Sequence, residues 1–304
     1  MKVEGFHVVA QTPFTDDGAL DAGGIGHLCD FYIRCGVEGF TVLGVSGEAF
    51  RLTLAEAVAT ARAYVRHAGG RPVYAGVSNA SIAHLADLTA RVMDDGATGV
   101  MIAPPGGLKT ETEVRAYFAQ VFDGIGAVPT VLQDFPAASG VHMSVDTIVQ
   151  LVDDHPQICA IKHEDFPSLP KLTRLDQALN RRVGILTGSN AQYLPEELRR
   201  GADGPMAGIS FPEVLAGIWA HHKAGDADAA DALFETFLPL IRHEAQGAWG
   251  LAVRKEIMRR RGALRSARMR APAPALTPRD HAEIDRLLTR LSQRTDTVPA
   301  SLAA

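Results

Sequence analysis

Lys162 and Glu164 stand two residues apart in Ile158-Cys159-Ala160-Ile161-Lys162-His163-Glu164-Asp165, where a short apolar run ends in an amine and a carboxylate. The run reads as a buried strand. Strand side chains alternate faces, so Lys162 and Glu164 point one way, while His163 and Cys159 point the other. A lysine at the end of a buried strand is uncommon unless it is paired or used. An amine in a partly desolvated pocket loses affinity for its proton and becomes a nucleophile toward carbonyls. A carboxylate on the same face can then move protons for the adduct. The pair predicts Schiff-base chemistry. His163 is expected to pack outside the pocket and Cys159 in the core. No second ligand sits at metal-binding spacing from His163, so no metal is expected.

Such a pair needs a scaffold, and the 304 residues suffice for one large α/β domain with an appendage. With 46% hydrophobic and 21% charged residues, the composition fits a well-buried enzyme and excludes a disordered or fibrous chain. A formal net charge of −5 argues against nucleic acid as the main partner. Cys29, Cys35 and Cys159 cannot all pair, which fits reduced thiols. The start, Met1-Lys2-Val3-Glu4-Gly5, has no apolar signal core, and no apolar run reaches ~18 residues. A soluble cytoplasmic protein without a membrane partner is expected.

Strand candidates are Phe6–Thr12, Gly39–Leu43, Val73–Gly76, Gly99–Ile102, Thr130–Gln133, Ile158–Lys162, Val183–Thr187 and Gly204–Ala207. Helical patterns lie between them, including Leu54–Ala68, Ile82–Asp95, Glu111–Ile125 and Val145–Asp154. Thr53 and Ser144 stand where N-caps belong. This repetition predicts a (β/α)8 TIM barrel over residues 1–224. A doubly wound sheet is the rival, but Gly23-Gly24-Ile25-Gly26 follows a loop and gives poor support for a dinucleotide turn. Beyond the eighth strand, Glu213–Lys223, Ala227–His243, Trp249–Arg261 and Pro278–Leu291 read as helices. The first closes the barrel. The rest form a C-terminal helical appendage over 225–294, and 295–304 reads as a loose tail. Arg259, Arg260, Arg261, Arg265, Arg268 and Arg270 form a basic cluster, read as a solvated face favoured by a helix C-terminus.

Barrel active sites lie at the C-terminal ends of the strands. Lys162 ends strand six; Gly44-Val45-Ser46-Gly47-Glu48 follows strand two, Gln133-Asp134-Phe135-Pro136 strand five, and Gly188-Ser189-Asn190 strand seven. All four converge on one mouth. Gly44 and Gly47 let backbone amides approach a ligand, and the Ser46 hydroxyl adds a donor, which suits a small carboxylate.

With these pieces in barrel order, the chain resembles the dihydrodipicolinate synthase/N-acetylneuraminate lyase family. The matching residues run from Thr12-Pro13-Phe14 through Gly44–Glu48 and Ile161-Lys162 to Gly188 and Gly201-Ala202-Asp203-Gly204. The resemblance implies a tetramer built as a dimer of dimers, with Lys162 forming the imine to a 2-oxo acid and no cofactor. It also implies that Ser46 and Gly47 hold the substrate carboxylate, and Gly188 and Ser189, in the loop after strand seven, are expected to bind the substrate. Gln133 stands where the family's synthases and aldolases carry a proton-shuttling tyrosine, and Ala138 where the synthases carry an arginine. Val45-Ser46 replaces a threonine pair, and Pro105-Gly106-Gly107 lacks the tyrosine lent by a neighbouring subunit. A glutamine amide orients a water or substrate but does not titrate.

One branch, the 2-keto-3-deoxy-L-arabonate dehydratases, resembles these departures. It is similar in Gln133–Gly140, in a glutamate placed like Glu164, and in Leu238–Glu244, although its loop after strand two differs. His243 and Glu244 are expected to serve an interface or helix packing. The resulting expectation is a lyase that dehydrates a 2-keto-3-deoxy sugar acid, with Lys162, Glu164 and Gln133 as catalytic residues. The alternatives are a class I aldolase releasing pyruvate, a 4-hydroxy-tetrahydrodipicolinate synthase, and a non-catalytic ligand-binding barrel.

Overall fold

The computed structural model describes residues 2–180 and 183–296. The strands are β1 (His7–Val9), β2 (Gly39–Val42), β3 (Val73–Gly76), β4 (Gly99–Ile102), β5 (Thr130–Asp134), β6 (Ile158–His163), β7 (Gly184–Thr187) and β8 (Met206–Ala207). They pair in parallel in the order β7-β6-β5-β4-β3-β2-β1-β8. The ring closes through a parallel bridge between Thr187 and Pro205, where Thr187 N–H donates to Gly204 O at 3.1 Å. This is the expected (β/α)8 barrel. Within it, Gln133 lies directly beside Lys162 in the β5–β6 register.

The helices are α1 (Gly24–Arg34), α2 (Leu54–His67), α3 (Ile82–Asp94), α4 (Glu111–Ile125), α5 (Pro136–Ser139) and α6 (Val145–Asp154). They continue with α7 (Ser168–Ala178), α8 (Leu194–Arg199), α9 (Pro212–Lys223), α10 (Ala227–Glu244), α11 (Gly247–Arg260) and α12 (Pro278–Ser292). Thr53 with Glu56 and Thr110 with Glu113 form reciprocal capping boxes that start α2 and α4, and Ser144 caps α6. Helix α1 was hidden by its glycines, which are poor helix formers. A Cβ on Gly24 would lie 2.4 Å from the Asp21 carboxylate, and one on Gly26 would lie 3.1 Å from the His67 ring. Close packing explains their presence; they do not form a dinucleotide turn. Helix α7 was masked by Pro167 and Pro170 at its start. Of the expected tail, residues 297–304 lie outside the described residues.

Inward side chains of the strands, including Val9, Tyr74, Met101, Val131, Ala160, Leu186 and Met206, fill the barrel. A larger cluster lies between strands and helices and continues without a break into Phe237, Leu240, Val253, Ile257 and Leu288 of the C-terminal helices. Cys159 departs from strict alternation. It packs against the interior cluster, and its Sγ donates to Thr130 O at 3.4 Å, where the β5–β6 register shifts between Thr130 and Val131.

The basic cluster is not a free solvated face. Arg259 and Arg260 pair with Glu256, Arg260 also with Asp285, Arg261 with Glu213, and Arg270 with Glu56. These four of its six charges are thus met by the chain's own carboxylates, while Arg265 and Arg268 are exposed. Among the described residues no helix is long and apolar enough to cross a membrane, and no cluster of metal-competent side chains occurs.

His7 on β1 gives the fold an acid-sensitive point. Its ring is 2% exposed, Nε2–H donates to Glu4 O at 3.2 Å, and Nδ1 has no partner. Burial lowers its pKa from 6.5 to about 4. As pH falls, the unfolded chain therefore takes up this proton before the folded one does. Stability is unaffected above about pH 6.5 and falls as pH drops toward 4, where the loss amounts to about 3 kcal/mol. Urea unfolding of a His7→Gln variant should show a smaller stability loss between pH 7.5 and 4.5 than the parent. Equal losses would exclude His7 as the cause.

Candidate active site

The loops at the C-terminal ends of the strands enclose a cavity of about 270 Å³. Lys162, Glu164, Gln133, Ser46 and Ser189 all line it, joined by Phe50, Phe135, Asn190, Glu244, Leu251 and Arg254. No tyrosine lines it. Gly47 and Gly188 stand behind this wall and not in it. A Cβ on Gly188 would lie 2.2 Å from Glu164 Oε1, so this glycine makes room for the carboxylate. A Cβ on Gly47 would lie 3.3 Å from Ala10 O, while Gly47 O accepts from the Thr12 hydroxyl at 2.6 Å.

At the centre, Lys162 Nζ lies 3.1 Å from Glu164 Oε2, with both side chains buried. Gln133 Nε2 donates to the same oxygen at 2.6 Å, and Ser189 N–H donates to Glu164 Oε1 at 2.9 Å. The carboxylate is thus aimed by β5, β6 and the loop after β7 together. A side chain fixed by three partners is suited to repeated proton transfer at one place. His163, on the opposite face of β6, bonds Asp134 Oδ2 at 3.3 Å and Ser168 O at 3.1 Å. Lys171 reaches the same Asp134 oxygen at 2.7 Å. This buried network clamps the outer faces of the two strands that carry Gln133 and Lys162.

The backbone is strained in the same region. Among the described residues five non-glycine residues have positive φ: Leu43, Glu48, Ser189, Asn190 and Ala191. All five lie in the loops after β2 and β7. Left-handed conformations cost non-glycine residues energy and concentrate where geometry is dictated by function. Because none of the five is glycine, composition carried no trace of them.

Five residues of the wall, Glu244, Gly247, Ala248, Leu251 and Arg254, come from the C-terminal helices. Arg254 of α11 and Glu244 at the end of α10 are 2% and 1% exposed. Glu244, expected to serve an interface or helix packing, instead turns into the barrel mouth. Its carboxylate accepts from Arg254 Nε at 2.9 Å and from Ser210 N–H at 3.0 Å. Arg254 was not foreseen, since nothing in a helix sequence says which face meets a distant barrel. The Leu238–Glu244 stretch was the available hint.

Next to Arg254, Lys255 is fully buried and holds the loop after β2 in place. Its Nζ donates to Glu48, to Thr12 O at 2.9 Å and to Arg268 O at 3.0 Å. Burial lowers its pKa, and the Glu48 carboxylate opposes that shift. A Lys255→Met variant leaves Glu48 buried without its main counter-charge. It should lose about 3–5 kcal/mol in urea unfolding, and adding Glu48→Gln should restore part of the loss. A single variant as stable as the parent would mean that the pair is not needed to hold the loop.

Residues 2–291 match the dihydrodipicolinate synthetase family. The chain belongs to that family. Enzymes of this family are lyases that bind small 2-oxo acids and are often oligomeric. Among relatives, the chain is 32% identical over 293 residues to L-2-keto-3-deoxyarabonate dehydratase of Azospirillum brasilense, covering 94% of each. It is 31% identical to 4-hydroxy-tetrahydrodipicolinate synthase 1 of Streptomyces coelicolor, over 79% of this chain and 77% of that one. Among solved structures, dihydrodipicolinate synthase from Rhodopseudomonas palustris matches with a TM-score of 0.92 and 43% identity, over 95% of this chain and 97% of that one. YagE, an E. coli K12 prophage protein solved with pyruvate, matches with a TM-score of 0.87 and 26% identity, over 95% and 98%.

Proposed function

We propose that this protein is a Schiff-base lyase that dehydrates a 2-keto-3-deoxy sugar acid of the 2-dehydro-3-deoxy-L-arabonate type. The observation that carries the reading is Glu164 held between Lys162 and Gln133 in a cavity that no tyrosine lines. The likeness to the Azospirillum brasilense dehydratase supports it. In this reading, Glu164 takes the proton of the Lys162 ammonium, and the free amine adds to the C2 ketone. Glu164 returns the proton to the carbinolamine hydroxyl, which leaves as water and yields a protonated imine. The imine withdraws electrons, so Glu164 can remove a C3 proton to give an enamine. The enamine expels the C4 hydroxyl, which leaves as water with the proton that Glu164 holds. Hydrolysis of the unsaturated imine frees Lys162 and releases an unsaturated 2-oxo acid. From a five-carbon substrate this product tautomerises to 2-oxoglutarate semialdehyde.

The imine is the electron sink, so the scheme uses no cofactor and no metal. Gln133 holds the Glu164 carboxylate and does not itself titrate. An aldolase must deprotonate the C4 hydroxyl while the C3–C4 bond breaks, a task for which this wall offers no tyrosine. We assign the enzyme to the cytoplasm, as a homotetramer, with the barrel of residues 1–224 carrying the imine chemistry and the helices of 225–294 closing its mouth. The synthase reading draws on the Rhodopseudomonas palustris and Streptomyces coelicolor proteins, but Gln133 and Ala138 oppose it.

Incubation with 2-keto-3-deoxy-L-arabonate tests the reading. The expected product is 2-oxoglutarate semialdehyde, and borohydride with pyruvate should leave a mass adduct on Lys162. An unmodified Lys162 would sink the mechanism, and pyruvate as the main product would select the aldolase instead.

A further inference from the structure

We propose that Arg254, aimed by Glu244, binds the carboxylate of the 2-oxo acid and makes the site select acids over neutral ketones. This rests on the lyase reading above. The guanidinium lies over Gly208 at the end of β8, where a Cβ would meet Nη1 at 3.3 Å and Val9 O at 2.8 Å. A side chain at position 208 would therefore push the fork out of place. Arg254 Nε donates to Glu244 Oε2 at 2.9 Å, Nη1 to Ser46 Oγ at 3.3 Å, and Nη2 to Asn190 Oδ1. A guanidinium has five N–H donors, so with these three engaged one remains on each terminal nitrogen. A carboxylate accepts both. Ser46 Oγ accepts from Arg254, which leaves its own O–H free to donate to the same anion.

Glu244 explains why the arginine is rigid. Its carboxylate is held by Ser210 N–H at 3.0 Å and by the Ser210 hydroxyl, leaving one edge for Arg254 Nε. A buried guanidinium with one fixed carboxylate on Nε and a cavity before its other nitrogens is arranged to receive a second anion. The residues carrying it lie in the loops after β2, β7 and β8 and on α10 and α11, so the C-terminal helices add a guanidinium to the cationic groups, Arg51 and Lys162, that the barrel brings to the cavity. Glu244 is a positioning residue in this assignment.

Borohydride trapping on Lys162, titrated with pyruvate and with its neutral analogue pyruvamide, tests the assignment in the parent, Arg254→Gln and Arg254→Lys. Calorimetry with oxamate, which carries the carboxylate but no reactive ketone, runs alongside. For Arg254→Gln the half-saturating pyruvate concentration should rise about 10- to 100-fold, while pyruvamide trapping changes little. Arg254→Lys should recover part of the loss, and oxamate should bind the parent well and Arg254→Gln weakly. If Arg254→Gln misfolds, the Arg254→Gln/Glu244→Gln double variant removes both buried charges and carries the same expectation. Equal pyruvate half-saturation in the parent and the variant, an equal fall for pyruvate and pyruvamide, or equal oxamate binding each overturns the assignment. A parent that binds oxamate through Arg254 but forms no Lys162 adduct would refute the lyase reading alone.

Discussion

A Lys162→Met variant is expected to fold like the parent and lose turnover by on the order of 10⁴-fold. The methionine keeps an unbranched apolar stem in the barrel and removes only the amine that adds to the ketone. Glu164 retains the Gln133 amide at 2.6 Å and the Ser189 N–H at 2.9 Å, so its carboxylate is not left without partners. The loss should therefore be chemical and not structural. Product formation, borohydride adduct and thermal midpoint separate the two. No adduct and no turnover in a folded protein is the expected result, with a lowered midpoint because buried Glu164 loses its counter-charge. Turnover within tenfold of the parent would mean that the reaction does not pass through an imine on Lys162. Saturable oxamate binding in an equally inactive parent would favour a barrel that binds without turning over.

Position 162 was readable because strand alternation is short-range and nearly invariant. Two residues of spacing put Lys162 and Glu164 on one face, and the pair indeed meets at 3.1 Å. Gln133 followed from barrel order, since neighbouring strands in a parallel ring bring their ends together. What could not be read was long-range or hidden in dihedral angles. Arg254 reaches the mouth from α11, and no local pattern in Gly247–Arg260 distinguishes it from an arginine in solvent. Glu244 looked like helix packing for the same reason. The positive φ values at Leu43, Glu48 and Ser189–Ala191 are imposed by the packing around them and have no glycine to advertise them. Cys159 escaped alternation because a register shift lies in the neighbouring strand. The local part of the site was legible; the part built by the C-terminal helices was not.

Glu164→Gln should separate imine formation from elimination. The amide is nearly isosteric: its oxygen can still accept from Ser189 N–H, and its NH2 can donate to a flipped Gln133 amide oxygen, but it cannot carry a proton between C3 and the C4 hydroxyl. Turnover is expected to fall about 10²- to 10⁴-fold. Pyruvate should still be trapped on Lys162, because carbinolamine formation can draw protons from water. The pairing with Lys162 also predicts a direction for the trapping itself. Without a carboxylate at 3.1 Å to take its proton, the amine must lose it to solvent, so adduct formation should be slower. A rate of dehydration close to the parent's would move the proton-transfer role elsewhere in the cavity. A variant that forms no adduct at any pH would assign Glu164 to imine formation alone. Full trapping with lost elimination is the outcome that identifies Glu164 as the group that takes the C3 proton and hands it to the departing hydroxyl.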